Sequence, residues 1–519
     1  MGPRPLLKVA GALAFGGVTL AAPSARALEA EVTSDTAAQA YSLRSPFGDP
    51  ILFRRRVTQT LGVGLYSLLP EERPGGPQLF VKLRVRLDAD FGVEATERRY
   101  DAGAAGTRFT PGLSDAPLDL MYGYVEGRNL AGGWLGVRAG RQYVVDSLGW
   151  WSFDGALVRI TPPYVHVEAY GGFEQRGGLP LSLGRFERGG VSRGDRQSTL
   201  DGSPDAFRHF QQAAMAPAYG VAIESAGPTW IHGRLDYRKV SNRGVATTNA
   251  LPDASGAFGT TSGTRTSSER VGYAVDGTAG RWGAARAGIV YDLYNRLVSS
   301  YYASVDGFVT RRLTVTADYD MFRPTFDGDS IFNWFTHWGM KTATLRAALT
   351  VTDRLDLAAS GGARWYQTDD DPAATPVAAT GVVPGGGGGV VTSNPEANDP
   401  HSLRDWLGAA NARYRWDSAR VALRGVFETG DRGARQGVDV SGDKSFRGGR
   451  FFTLARASIF DWRDELRPDQ SATSVGYVLG AGFAPAEYAR TRVEWEHNTN
   501  RLVGQRYRVL AWLTLVAAR

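Results

Sequence analysis

The sequence predicts an all-β protein: a transmembrane antiparallel β-barrel of about 18–20 strands with long extracellular loops. Three observations carry that prediction. Apolar and charged residues alternate with period two in segment after segment. The connections alternate between tight turns and long Gly-rich stretches. The chain opens on an export signal, and no later stretch is apolar enough for a spanning helix.

Composition narrows the field first. The 519 residues include no cysteine, which excludes a disulfide framework, a cysteine zinc site and a thiolate nucleophile. With 13 Trp, 21 Tyr and 23 Phe the chain is too aromatic to be disordered. Five lysines stand against 54 arginines, yet the net charge is only +6, so no nucleic-acid partner is implied.

Residues 1–27 read as a signal peptide. Arg4 and Lys8 form a positive start, Val9 to Ala22 an apolar segment of small residues, and Ala25-Arg26-Ala27 an A-x-A cleavage site. Cleavage removes three positive charges and no acid, lowering the net charge from +6 to +3. Residues 28–519 then form a single domain, the outer-membrane β-barrel.

A first strand is expected around Ala30 to Leu43 and a second near 55–66. From Leu79 to Phe91 the odd positions are Leu79, Val81, Leu83, Val85, Leu87, Ala89 and Phe91, and the even ones Phe80, Lys82, Arg84, Arg86, Asp88 and Asp90. Such a strand must place one face in hydrocarbon and the other in water. The pattern recurs at 116–128, 132–142, 154–161, 164–173, 216–226, 228–239, 269–276, 284–293, 296–308, 313–321, 340–351, 355–366, 405–415, 418–428, 450–460, 473–483, 488–497 and 506–515. Most of these segments run to about ten residues, enough to cross a bilayer when tilted.

Tight turns fall at Asn129 to Gly132, Thr161 to Pro163, Ala226 to Pro228, Thr352 to Arg354 and Trp416 to Ser418. Long polar stretches occupy 93–115, 174–215, 240–268, 368–402 and 430–449. Gly385 to Gly389 is a flexible linker within one of them. Short turns on one rim and long loops on the other are the barrel arrangement. A solenoid would repeat its motif at a fixed period, and none is found. The C-terminal Val516 to Arg519 lacks the terminal aromatic that many such barrels carry.

If the apolar face meets lipid, the other face lines the lumen. Its pore-lining candidates are Lys82, Arg84, Arg86, Asp88, Asp90, Arg138, Arg234, Arg238, Arg364, Arg413, Arg415, Arg420, Arg424, Arg490, Arg492, Arg506 and Arg508, interleaved with acids such as Asp236, Asp318, Asp320, Asp356, Glu428, Glu494 and Glu496. Rings of positive side chains favour anions, whereas cross-strand pairing would only brace the lumen. Arg138 and Arg141 differ by an odd step, so either the strand ends at Ala139 or a bulge intervenes. The loop Val145 to Phe153, with Asp146, Trp150 and Trp151, is the candidate inward-folded constriction, and an interfacial aromatic girdle is the other reading of the two Trp. Segment 324–338, with Phe326, Ile331, Phe332, Trp334, Phe335 and Trp338, is apolar enough to pack into the barrel mouth.

Gly140-Arg141-Gln142, followed by Phe153-Asp154-Gly155, resembles a "GRQ … FDG" pattern of the alginate-export and general porin families. The resemblance covers about 40 residues and implies an outer-membrane channel with loops folded toward the pore. It does not imply alginate, because the extended arginine track of that family does not map onto this chain.

Catalytic constellations are not evident. The six histidines are scattered, and none has zinc-site spacing. The nearest approach to a barrel hydrolase is His497 with Thr499, and His497 is expected to cap a charged lumenal patch. Asp369 to Asp371 reads as a solvated acidic tip. The expectation is a non-enzyme without cofactors, passing hydrophilic solutes, anions among them, across the bacterial outer membrane, with membrane lipid and lipopolysaccharide as neighbours. The alternatives are a structural or sheath barrel with an occluded lumen, a barrel hydrolase and a surface adhesin. Small outer faces near 284–293 and 405–415 are candidate homo-oligomer contacts.

Overall fold

The structure, a computed structural model, describes residues 29–69, 75–93, 118–175, 215–242, 246–247, 255, 260–261, 263–325, 339–366, 403–431, 433–464 and 471–518. Alternation produces long strands in chain order: β1 Glu29–Arg44, β2 Pro50–Tyr66, β3 Gln78–Val93, β4 Leu118–Asn129, β5 Leu135–Asp146, β6 Gly149–Ile160, β7 Val165–Gln175 and β8 Met215–Ser225. They continue as β9 Ile231–Asn242, β10 Arg265–Thr278, β11 Gly283–Asp292, β12 Leu297–Phe308, β13 Leu313–Phe322, β14 Met340–Thr350 and β15 Leu355–Tyr366. The last seven are β16 Leu403–Arg415, β17 Ala419–Gly430, β18 Gly433–Phe446, β19 Phe451–Asp464, β20 Ala472–Ala486, β21 Ala489–Asn500 and β22 Gly504–Ala518.

Each strand pairs antiparallel with its neighbours in sequence, and β1 closes on β22 from Glu31↔Ala518 to Arg44↔Gln505. The result is a closed 22-stranded barrel with no free edge. A small ribbon of Ala246–Thr247 with Thr260–Thr261 stands in the β9–β10 connection.

The count of 22 replaces the expected 18–20, and the stretch 430–449 is no loop: it contains β18. The outward face of β18 offers only Ala434, Val438, Val440 and Phe446 as apolar groups, with Gln436, Gly442 and Lys444 between them. Its apolar signal is therefore weak, and neighbouring pairing with Thr429 and Phe460 fixes it instead. Inserting this strand also restores the alternation of loop lengths along the C-terminal third.

All connections on one rim are short, two to five residues, apart from 67–77. The connections 94–117, 176–214, 243–264, 323–339 and 367–402 all lie on the other rim, which we call the long-loop rim. Outside, period-two faces present apolar side chains such as Val305, Leu345, Leu423, Leu479 and Val493. Inside lie the charged faces. The charged groups found on the outward face gather toward strand ends, as with Lys239 and Glu269, 3.1 Å apart near the long-loop rim. Arg404 lies between Trp365 and Trp406 at the same level. Residues 1–28, the apolar segment at 326–338, Gly385 to Gly389 and Asp369 to Asp371 lie outside the described residues.

Candidate functional site

The wall opens at one place. β4 pairs with β5 only from Gly123↔Arg141 to Gly127↔Val137, and β6 meets β7 only from Phe153↔Glu174 to Ile160↔Val167. β5 and β6 nevertheless stay paired with each other from Leu135↔Ile160 to Asp146↔Gly149. Residues 142–152 have thus left the wall on both flanks as a hairpin that closes at Ser147 and Leu148. Its tip rests on the lumenal face of β9. There Ser147 Oγ donates to Asp236 Oδ2 at 2.7 Å, and Arg238 Nη2 donates to Asp146 Oδ2 at 2.6 Å. Ser147 and Leu148 lie over Gly272 of β10, where a Cβ would stand 2.3 Å from Ser147 Oγ.

A small core holds the hairpin down. Val144, Trp151, Phe153 and Leu157 pack with Tyr170, Ala216, Ala218 and Val240 of β7, β8 and β9. Trp151 stacks on Phe153 with centroids 4.6 Å apart, takes the Arg238 guanidinium on its ring at 4.9 Å and donates from Nε1 to Glu174 at 2.8 Å. Burying each large side chain contributes roughly 1.5–3 kcal/mol. The lumenal face of β8 is Ala216, Ala218, Gly220 and Ala222, and this smallness makes the room: a Cβ on Gly220 would meet the Tyr170 ring at 2.3 Å.

The hinge is built from the two motifs. Gly140 pairs with Gly155, Arg141 with Asp154, and Gln142 with Phe153. Gly140 has φ +125°, and a Cβ there would lie 2.3 Å from the Gly123 carbonyl oxygen; one on Gly155 would lie 2.1 Å from that of Gly171. Arg141 grips Asp154 with two bonds, Nε to Oδ1 at 2.7 Å and Nη2 to Oδ2 at 2.8 Å. Its remaining nitrogen Nη1 donates to the Leu120 carbonyl at 2.8 Å, filling a backbone valence that β5 no longer satisfies. Gln142, fully buried, donates to the Gly155 carbonyl at 3.0 Å. Neither motif marks a strand end, and the positive φ of Gly140 accommodates the odd step between Arg138 and Arg141.

Between the hairpin and the short-turn rim lies a cavity of about 330 Å³, lined by Arg128, Arg138, Arg159, Arg234, Glu126 and Glu168 together with Tyr143 and Val145 of the hairpin. Glu126 Oε1 receives both Arg128, at 2.7 Å, and Arg138, at 3.1 Å, while its Oε2 is buried without a partner among the described residues. Arg159 reaches Glu168 at 2.6 Å. Arg234 bridges Asp236 at 2.8 Å, Glu224 at 3.0 Å and Glu168 at 3.4 Å. His232 extends the chain of charges, with Glu224 at 2.9 Å and Asp276 at 3.1 Å. The lining presents four guanidinium groups and two carboxylates, with Glu224 and Asp236 just beyond it balancing Arg234, and planar forks of this kind match carboxylate or phosphate oxygens.

The sequence-predicted residues divide into two groups. Arg138, Arg234, Arg238, Asp146, Trp150 and Trp151 come together at the hairpin; the rest belong to other parts of the wall. Lys82 lies over the Tyr66 ring at 5.4 Å, and Arg84 meets Asp35 at 3.0 Å. Arg364 meets Glu428 at 2.6 Å. Arg413 and Arg415 share Asp356 at 2.9 and 3.0 Å. Arg420 pairs with Asp443, Arg492 with Glu494, and Arg508 and Arg506 with Glu496. Arg86 lies on the same strand face as Arg84. The side chains of Asp88 and Asp90 lie outside the described residues. Arg424 and Arg490 have no hydrogen bond or ion pair among the described residues.

Two expectations are corrected. Trp151 is buried inside the barrel and belongs to no girdle, while Trp150 sits on the opposite face of the hairpin beside Tyr143. His497 does not cap the lumen. It shares the odd, outward parity of Val493 and Trp495, stacks on Tyr507 at 4.3 Å and bonds the Tyr477 hydroxyl at 2.7 Å. Arg128, Glu126, Arg159, Glu168 and Tyr170 were not among the site candidates. Their signal was available in β8, whose both faces are apolar between 216 and 223, a sign that something packs against it from inside.

No protein-family model and no curated protein matches the chain. Among solved structures, the chain is similar to OccAB2 of Acinetobacter baumannii at 7% identity and TM-score 0.41, covering 94% of this chain and 98% of that one. It is similar to OccK5 (OpdH) of Pseudomonas aeruginosa at 8% identity and TM-score 0.40, with 95% and 98% covered. The outer membrane protein opdK of Pseudomonas aeruginosa matches at 9% identity and TM-score 0.40, with 94% and 99% covered.

Proposed function

We propose that this barrel is an outer-membrane channel for passive or facilitated diffusion of hydrophilic solutes, with anions preferred. The observation that carries the reading is the hairpin folded inward above an arginine-lined cavity, on a barrel whose outer face is apolar. An apolar belt matches hydrocarbon, and closure pairs the backbone around it except beside the departing hairpin, where Arg141 takes the Leu120 carbonyl. The inward hairpin narrows the path on one side and is the constriction: Tyr143, Val145 and Trp150 are its exposed groups, while Asp146 and Trp151 anchor it to the wall. Solutes then pass the guanidinium groups of Arg128, Arg138, Arg159 and Arg234, and guanidinium groups lining a path favour anions. Lipopolysaccharide is the neighbour at the long-loop rim. Residues 1–27 are removed on export, so the mass of the purified protein should correspond to a chain starting at Leu28. No catalytic role is proposed.

The test is single-channel conductance of the purified mature protein in a planar bilayer, with the reversal potential measured across a salt gradient. Steady openings with an anion-selective reversal support the proposal. A folded, inserted and silent barrel overturns it and favours a second reading, a sheath or occluded barrel. One observation speaks for that reading: carboxylate–arginine pairs occur on most lumenal faces, and such pairs brace a lumen as readily as they line one.

A further inference from the structure

Three consecutive connections on the short-turn rim, β8–β9, β10–β11 and β12–β13, read Ala226-Gly-Pro-Thr-Trp230, Ala279-Gly-Arg-Trp282 and Val309-Thr-Arg-Arg312. They contain two Trp and three Arg and no acid. Immediately beside them, on the outward face, the barrel wall is dented. A groove of about 670 Å³ runs between Trp230 and Trp282, floored by the small residues Ala285, Ala287, Ala303 and Gly307. The Trp282 ring carries the Arg281 guanidinium at 4.7 Å, which holds that charge at the mouth of the groove. The trough is apolar, closed by two Trp and topped by the Arg281 guanidinium.

We propose that this groove seats an acyl chain of an anionic phospholipid, with the phosphate held by Arg281. The proposal rests on the membrane reading above. Hydrocarbon is what an outward apolar trough meets in a bilayer, and the two indoles stand at the level where Trp anchors an interface. Surface guanidinium groups next to the headgroup plane select anionic over zwitterionic lipid. A second copy of this chain fits less well, because Arg281 would face its own copy across a two-fold contact.

The experiment uses the whole mature protein, reconstituted in vesicles of phosphatidylglycerol and phosphatidylethanolamine, floated, extracted in mild detergent and weighed intact by mass spectrometry. The expected result is one retained phosphatidylglycerol per barrel, favoured about fivefold over phosphatidylethanolamine. Filling the groove with Ala287→Phe and Ala303→Leu should cut retention about tenfold, and Arg281→Glu should abolish the headgroup preference. Ala410→Phe, on the outward face of β16, should change neither. Equal retention of both lipids, or retention unchanged by filling the groove, overturns the proposal. A doubled mass without lipid overturns it too, in favour of a second copy. A chain that does not float with the vesicles overturns the membrane reading itself.

Discussion

Arg141 and Asp154 face each other across β5 and β6 at the point where the hairpin leaves the wall, joined by two parallel hydrogen bonds of 2.7 and 2.8 Å. The same guanidinium caps the Leu120 carbonyl, so one side chain satisfies both the hinge carboxylate and the backbone that the departing strand abandons. Gly140 and Gly155, one step away, supply the close approach.

Removing the clamp should therefore loosen the hairpin. Arg141→Leu leaves Asp154 without its partner and the Leu120 carbonyl unsatisfied, and Arg141 itself is almost fully buried. The expected cost is about 3 kcal/mol, the lower end for breaking a buried pair because Asp154 keeps some access to water. Urea unfolding in vesicles measures the loss, and single-channel recording should show a larger and noisier conductance. An unchanged unfolding midpoint would contradict the role given to this pair.

The hinge glycines should be intolerant of even a methyl group. Gly140→Ala and Gly155→Ala place Cβ within 2.3 Å of carbonyl oxygens that belong to neighbouring strands and cannot move away alone. Gly425→Ala, in β17, meets nothing within 4 Å and serves as the control. The folded fraction, read from heat-modifiable electrophoretic mobility, should fall sharply for the first two variants and stay unchanged for the third.

At the tip, the two contacts with β9 should differ in weight. Ser147→Ala deletes a hydrogen bond to Asp236, worth about 1 kcal/mol. Arg238→Met strips the partner from Asp146, whose side chain is wholly buried, and also removes the cation from the Trp151 ring. The second change should destabilise the hairpin by a few times the first. Hydrogen exchange of residues 143–152 is the direct measurement. Equal protection in both variants would contradict this ranking.

The barrel was legible because period-two alternation reports burial directly, and β3 or β15 could hardly be read otherwise. β18 escaped because a strand whose outward side chains include Gln436 and Lys444 carries little apolar signal; its existence is dictated by the need to pair β17 with β19. The hairpin was half legible. Its residues were singled out, but inward folding depends on contacts among β5, β9 and β10, far apart in sequence, and local pattern holds no information on them. His497 was misplaced for a simpler reason: its neighbours Glu494 and Glu496 are lumenal, and its own odd position puts it on the other face.

The lumen holds paired and unpaired arginines, and the two kinds should affect selectivity differently. Arg364 sits 2.6 Å from Glu428, so at a distance beyond about 10 Å in 0.1 M salt the pair presents almost no net field. Arg424 has no such partner among the described residues, and its charge acts uncancelled. Arg424→Gln should therefore move the reversal potential toward cations with little change in stability. The double substitution Arg364→Gln with Glu428→Gln deletes a neutral pair and should leave the reversal potential close to that of the unmodified protein. Arg364→Gln alone strands a carboxylate in the lumen and should shift selectivity about as far as Arg424→Gln, while also costing up to about 1 kcal/mol because both partners are partly exposed. Reversal potentials of the four proteins in one salt gradient decide the matter. If the neutral-pair deletion shifts selectivity as much as Arg424→Gln does, the solute reads individual guanidinium groups rather than the net field of the wall.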